Sequence, residues 1–147
     1  MKIKLIENPH SEVEIQITYP ILDTHVKNII QKIQNMELKV LGTNEKGSKM
    51  LSLEEIYYVE SVDRKTFLYT SSEVYRCNKK VYQLAEEWEE YGFVQIGKAL
   101  LINMERLVEV RPLWNSRLEA TLENSEKLII ARTYIKKVKE WLERKEI

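Results

Sequence analysis

A single cysteine, Cys77, among 147 residues excludes an intrachain disulfide and any cysteine-based zinc cluster. The two histidines, His10 beside a proline in a loop and His25 early in a helix, have no acid or thiol at a matching spacing, so no metal or general-base site is expected. The four glycines form no phosphate cradle of the Walker or dinucleotide type, and no serine stands in a Gly-x-Ser-x-Gly turn. Paired carboxylates such as Glu86-Glu87 fall on the outer face of an amphipathic helix, where solubility explains them better than acid/base catalysis. An enzyme is therefore not expected, nor a cofactor, nor a small-molecule substrate. No run reaches the roughly 18 to 20 apolar residues that span a bilayer, and the start of the chain lacks the apolar stretch and cleavage site of a signal peptide, so a cytoplasmic protein is expected. Net charge is missing too: 23 basic side chains balance 23 acidic ones, which removes the bulk electrostatic argument for a nucleic-acid partner.

What remains is distribution and pattern. Bases gather at Arg64-Lys65, at Arg76 with Lys79-Lys80, and at Arg132 with Lys136-Lys137, while acids gather at Glu86, Glu87, Glu89 and Glu90. Salt screens exposed charges over roughly 8 to 10 Å, so a local basic edge attracts phosphate despite a neutral total. The chain has the size of one main fold with a small appendage, and 44% hydrophobic residues suffice for a core.

Residues 2–7 and 13–19 alternate as two strands, the second placing Val13, Ile15, Ile17 and Tyr19 against Glu12, Glu14, Gln16 and Thr18. Val26, Ile29, Ile30 and Ile33 then predict a helix of about three turns capped by Asp23 or Thr24. Residues 37–41 read as a strand, and Gly42 to Ser48 as the clearest loop in the chain. This divides a β-β-α-β piece at 1–44 from a larger part at 45–147. From Lys49 onward short strands are expected at 50–53, 56–62, 66–71, 73–77, 93–96, 99–102, 107–114, 117–123 and 127–131. One helix interrupts them, with Val81, Leu84, Ala85 and Trp88 on one face, and another closes the chain with Tyr134, Val138 and Trp141 on a stripe. Asn115-Ser116 and Asn124-Ser125 read as hairpin turns. Trp88, Trp114 and Trp141 are expected in core or interface packing, and Asn103 in a structural turn.

Four ordered pieces carry a resemblance: Ile56-Tyr-Tyr-Val-Glu-Ser61, Leu84 in the small helix, Phe93-Val-Gln-Ile-Gly-Lys-Ala-Leu-Leu-Ile-Asn103, and Ala131-Arg-Thr-Tyr-Ile-Lys-Lys-Val138. Over about residues 45–145 the chain resembles a LytTR domain, the bacterial DNA-binding module found at the C-terminus of many response regulators. The resemblance implies a mainly β fold with minor α, an elongated antiparallel arrangement of about ten strands, preceded here by the β-β-α-β piece. It also implies a sequence-specific transcriptional regulator whose loops enter successive major grooves of double-stranded DNA. Carried over, the contact residues are Arg64, Lys65 and Thr66, then Lys98, then Arg132, Thr133 and Tyr134, with Lys98 and Arg132 foremost. These residue types suit contact with DNA, since arginine bridges guanine O6 and N7, lysine neutralises phosphate, and threonine offers a hydroxyl or a methyl.

Two departures stand out. The family usually carries His, then Arg or Lys, then Ser where this chain has Gly97, Lys98 and Ala99, so two hydrogen-bonding groups are gone and either site preference changes or affinity weakens. Residues 1–44 are also too few for the phosphorylated receiver domain that usually precedes the module. Control is then expected through abundance, homodimerisation on repeated promoter half-sites, or another regulatory protein, a membrane-bound one included. The 1–44 piece is the candidate dimerisation or partner-docking region. The alternative is a LytTR-fold interaction or sensing module that has lost DNA binding, which net neutrality and Gly97 with Ala99 would permit. Arg132 on a carboxylate or helix end, and Arg64 and Lys65 as plain solvated turn residues, are the structural alternatives.

Overall fold

The structure, a computed structural model, describes residues 1–145. Its elements are α1 (Thr24–Glu37), β1 (Lys39–Asn44), β2 (Gly47–Ser52), β3 (Tyr58–Val62), β4 (Lys65–Tyr69), β5 (Val74–Cys77), α2 (Val81–Glu87), β6 (Phe93–Gly97), β7 (Leu100–Asn103), β8 (Leu107–Pro112), β9 (Leu118–Leu122), β10 (Lys127–Ile130) and α3 (Ile135–Lys145). All strand pairs are antiparallel, in a seven-stranded sheet ordered β2-β1-β5-β4-β3-β7-β6 and a three-stranded sheet ordered β10-β9-β8. The expected mainly β architecture of about ten strands with minor helix is what the chain adopts.

Alternation explains how one sheet serves two cores. Along β3, Tyr58 points to one face and Val59 to the other; along β7, Ile102 and Leu101 do the same. Val59, Leu68 and Leu101 meet Val81 and Leu84 from α2 and Trp88 at its C-terminal cap. Tyr58, Val94, Ile96 and Ile102 meet Ala120, Leu122 and Ile130 of the small sheet and Val138 of α3. The β3-β7-β6 part of the large sheet is therefore covered on both faces, whereas on β1, β2 and β5 the face bearing Leu41, Met50 and Val74 is exposed. Asn103 has the structural role expected of it: its Nδ2 donates to the Ile56 carbonyl at 2.9 Å and its Oδ1 accepts from the Glu105 N–H at 3.0 Å.

Several expectations are corrected. The runs 2–7 and 13–19 form no strand among the described residues, because neither has a neighbouring strand in the chain to complete a ladder. The β-β-α-β piece is consequently not a unit. Its last strand joins the main sheet, β1 pairing with β2 from Lys39↔Ser52 to Asn44↔Gly47, so a boundary at 44/45 cuts a hairpin. The expected Gly42–Ser48 loop shrinks to a turn at Glu45-Lys46. Gly42 lies inside β1, where a Cβ would stand 2.7 Å from Tyr75 Cβ and 2.9 Å from Leu51 Cδ1; the glycine serves close packing, not a turn. Helix α1 docks on its own chain, with Gln31 Nε2 donating to the Glu90 carbonyl at 2.7 Å and Asn35 Nδ2 to the Tyr91 carbonyl at 2.8 Å. Trp88 is buried and Trp141 half-buried, but Trp114 is 98% exposed at the tip of the β8–β9 hairpin and packs in no core.

Candidate nucleic-acid interface

The β3–β4 connection is a two-residue turn, Asp63-Arg64, closed by the pair Val62↔Lys65. Both turn residues have positive φ, 50° and 65°, as a tight hairpin with the twist of its strands requires. The turn thus holds Arg64 and Lys65 exposed at the end of a stiff ribbon, and Lys80 Nζ braces it by donating to the Arg64 carbonyl at 3.0 Å.

The next hairpin ends at the same edge. Because β7 runs antiparallel to β3, its start lies at the end of β3, and the Ser61 N–H donates to the Ala99 carbonyl at 2.8 Å. Lys98 and Ala99 form that tip, both exposed, and Gln95 Nε2 donates to the Gly97 carbonyl at 2.9 Å to fix it. On the open edge of β6 the Ala131 N–H donates to the Ile96 carbonyl at 2.9 Å, which brings the 3₁₀ turn Arg132–Tyr134 alongside. Arg132 and Thr133 are exposed there; Tyr134 is half-buried against the core shared with α3.

Three basic segments remote in sequence therefore line up along one end of the molecule. With neighbouring strands about 4.8 Å apart, the β6–β7 tip lies roughly 10 Å from the β3–β4 tip, and Arg132 roughly 17 Å from it. Among the described residues no carboxylate lies within ion-pair distance of Arg64, Lys65, Lys98 or Arg132, in contrast to Lys79 with Glu87 at 2.7 Å and Arg106 with Glu123 at 2.8 Å. Among the described residues Arg132 thus has no carboxylate partner, one of its two structural alternatives. Thr66 is the exception among the seven residues named from sequence. It is 2% exposed, set in β4 between Ser61 and Cys77, so its side chain faces the protein interior and is withdrawn as a contact.

The structure adds residues that the resemblance did not single out. Lys80 comes into place only through its bond to the turn. The β8–β9 tip reaches the same end, since Leu118 pairs with both Pro112 and Ile130, the latter just ahead of Ala131. That tip presents exposed Trp114 and Arg117, and Arg117 shares a groove with Arg132, Lys136 and Lys139. An exposed tryptophan between Leu113 and Asn115 carries no sequence signal that separates it from a core one.

The family description of LytTr DNA-binding domains matches residues 46–143. The chain is 26% identical over 98 residues to the sensory transduction protein LytT of Bacillus cereus, a match covering 67% of this chain and 40% of that protein. The chain thus spans well under half the length of that relative. It is 21% identical over 145 residues to an uncharacterized HTH-type transcriptional regulator of Staphylococcus aureus strain Mu50, with 97% of this chain and 98% of that one covered. A solved LytTr DNA-binding domain from Bacillus cereus shares the fold with a TM-score of 0.67 at 14% identity, over 71% of this chain and 95% of that one. With its ten antiparallel strands and a family match across residues 46–143, the chain belongs to the LytTr DNA-binding domain family.

Proposed function

We propose that the protein is a DNA-binding transcriptional regulator that discriminates sequence through the major groove, acting as two copies on repeated half-sites. The observation that carries this reading is the alignment of Arg64, Lys98 and Arg132 along one end of the large sheet, fixed by the Ser61–Ala99 and Ala131–Ile96 hydrogen bonds. A line of roughly 17 Å covers half of the roughly 34 Å helical repeat of DNA, and long arginine side chains at its two ends extend it. In this reading Arg64 and Arg132, at the ends, contact base edges, and Lys98, midway, neutralises phosphate.

An anisotropy titration on the protein's own upstream promoter and on a scrambled duplex, at several salt concentrations, tests this. Log affinity should fall with log salt at a slope of about −0.9 per phosphate neutralised. Arg132→Ala should weaken the promoter complex by roughly 1 to 3 kcal/mol more than the scrambled one, whereas Lys98→Ala should weaken both alike. The formal net charge of zero favours a second reading, an interaction module on the same fold. It requires no saturable promoter binding and recovery of a protein partner instead.

A further inference from the structure

Ahead of α1 the chain carries two extended runs whose apolar side chains are uncovered: Leu5 is 90% and Val13 97% exposed, and Ile3, Ile6, Ile15 and Ile21 are exposed as well. Each run alternates. Ile3 and Leu5 share one face of the first, with Lys2 and Lys4 on the other; Val13, Ile15 and Ile17 share one face of the second, with Glu12, Glu14 and Gln16 opposite. The first run is thus basic on its polar side and the second acidic, as two strands made to pair would be.

They do not fit as a hairpin within one chain. The turn between them is formed, with the Ser11 N–H donating to the Asn8 carbonyl at 3.2 Å and the His10 N–H to Asn8 Oδ1 at 3.1 Å. A hairpin continued from the Asn8 and Ser11 pair sets Glu7 opposite Glu12, Leu5 opposite Glu14 and Ile3 opposite Gln16. Directly opposed residues lie on the same face of a sheet, so this register mixes apolar with acidic groups and confronts two carboxylates. Slipped by one residue, Leu5 meets Val13, Ile3 meets Ile15 and Lys4 meets Glu14. The turn forbids that slip inside one chain and leaves it open between two.

We infer that these runs are a dimerisation surface for a second copy of this chain, residues 2–6 of each copy pairing antiparallel with residues 12–16 of the other. A two-fold axis makes both pairings at once, each setting Leu5 against Val13, Ile3 against Ile15 and Lys4 against Glu14. Helix α1 does not compete for the role, because its apolar face is already half-buried on its own chain. The inference goes beyond DNA binding and is read by mass, so it stands or falls apart from promoter affinity.

The test is light scattering on the full chain at micromolar concentration, without DNA. Wild type should give twice the 17.5 kDa chain mass. Lys2→Glu with Lys4→Glu should give a monomer, and so should Glu12→Lys with Glu14→Lys, since each sets like charges across both pairings. Mixed in equal amounts, the two variants should recover the dimer mass, because both runs of one variant are then acidic and both runs of the other basic. A monomeric wild type, variants that stay dimeric, or a mixture that stays monomeric would each overturn the inference, the last by returning the pairing to a single chain or placing the contact elsewhere.

Discussion

Replacing Arg64 by glycine separates what this residue does for the fold from what it does at the interface. Its φ of 65° puts an L-residue in the left-handed region, which costs roughly 1 to 2 kcal/mol against a right-handed conformation. Glycine removes that cost, but its greater freedom in the unfolded chain takes back roughly 0.5 to 1 kcal/mol. The bond from Lys80 Nζ goes to the Arg64 carbonyl and survives the change. Stability by urea unfolding should therefore stay within about 1 kcal/mol of wild type, on the stabilising side. Arg64→Val, a β-branched residue held at the same φ, should lose about 1 to 3 kcal/mol. On DNA both variants lack the guanidinium. A phosphate contact would show as a salt slope smaller by about 0.9, and a base contact as a promoter-specific loss of roughly 1 to 3 kcal/mol. If Arg64→Gly unfolds as easily as Arg64→Val, the backbone reasoning fails. If it binds the promoter as wild type does, Arg64 does not contact DNA.

Gly42→Ala should destabilise by about 1 to 3 kcal/mol in the same unfolding assay, since its methyl would press into Tyr75 Cβ at 2.7 Å; an unchanged midpoint would contradict the packing role. Burial pushes the Glu55 carboxyl up, but the Ser52 N–H at 2.8 Å, the Ser52 hydroxyl at 3.2 Å and the Lys49 ammonium outweigh it and hold it below the ordinary value of 4.5. Its stabilisation is fully present above that value and fades as pH falls through the lowered one. Wild type should therefore exceed Glu55→Gln in stability at neutral pH, with the gap closing in acid; a gap that widens below pH 4.5 would reverse the sign. Trp114→Ala should change stability by no more than about 0.5 kcal/mol, because the side chain is 98% exposed, yet weaken promoter binding if its hairpin tip reaches the duplex.

The strands that bury both faces are legible in the sequence because alternation and apolar content agree there, as in Tyr57 to Val62 and Phe93 to Ile96. Position along a sheet is not. A strand exists only with a partner, so the alternation of 13–19 without a ladder in the chain misleads, while Gly42 and Gly47, typical of loops, sit in paired strands. Thr66 follows a turn, where exposure is the natural expectation, but one further step along the pleat turns it inward. Trp114 is apolar by type and yet uncovered. That Arg64, Lys98 and Arg132 share one end follows from strand order and two backbone hydrogen bonds, which no spacing in the sequence encodes; the family likeness supplies the residues and the fold brings them together.

The most direct measurement is a backbone amide spectrum of the full chain titrated with a promoter duplex. Shifts should concentrate at residues 62–65, 97–99 and 131–134, where three basic segments meet one double helix. Shifts confined to the opposite end, around the β9–β10 turn at Asn124 and Ser125, or absent from two of the three segments, would contradict a single DNA-reading edge.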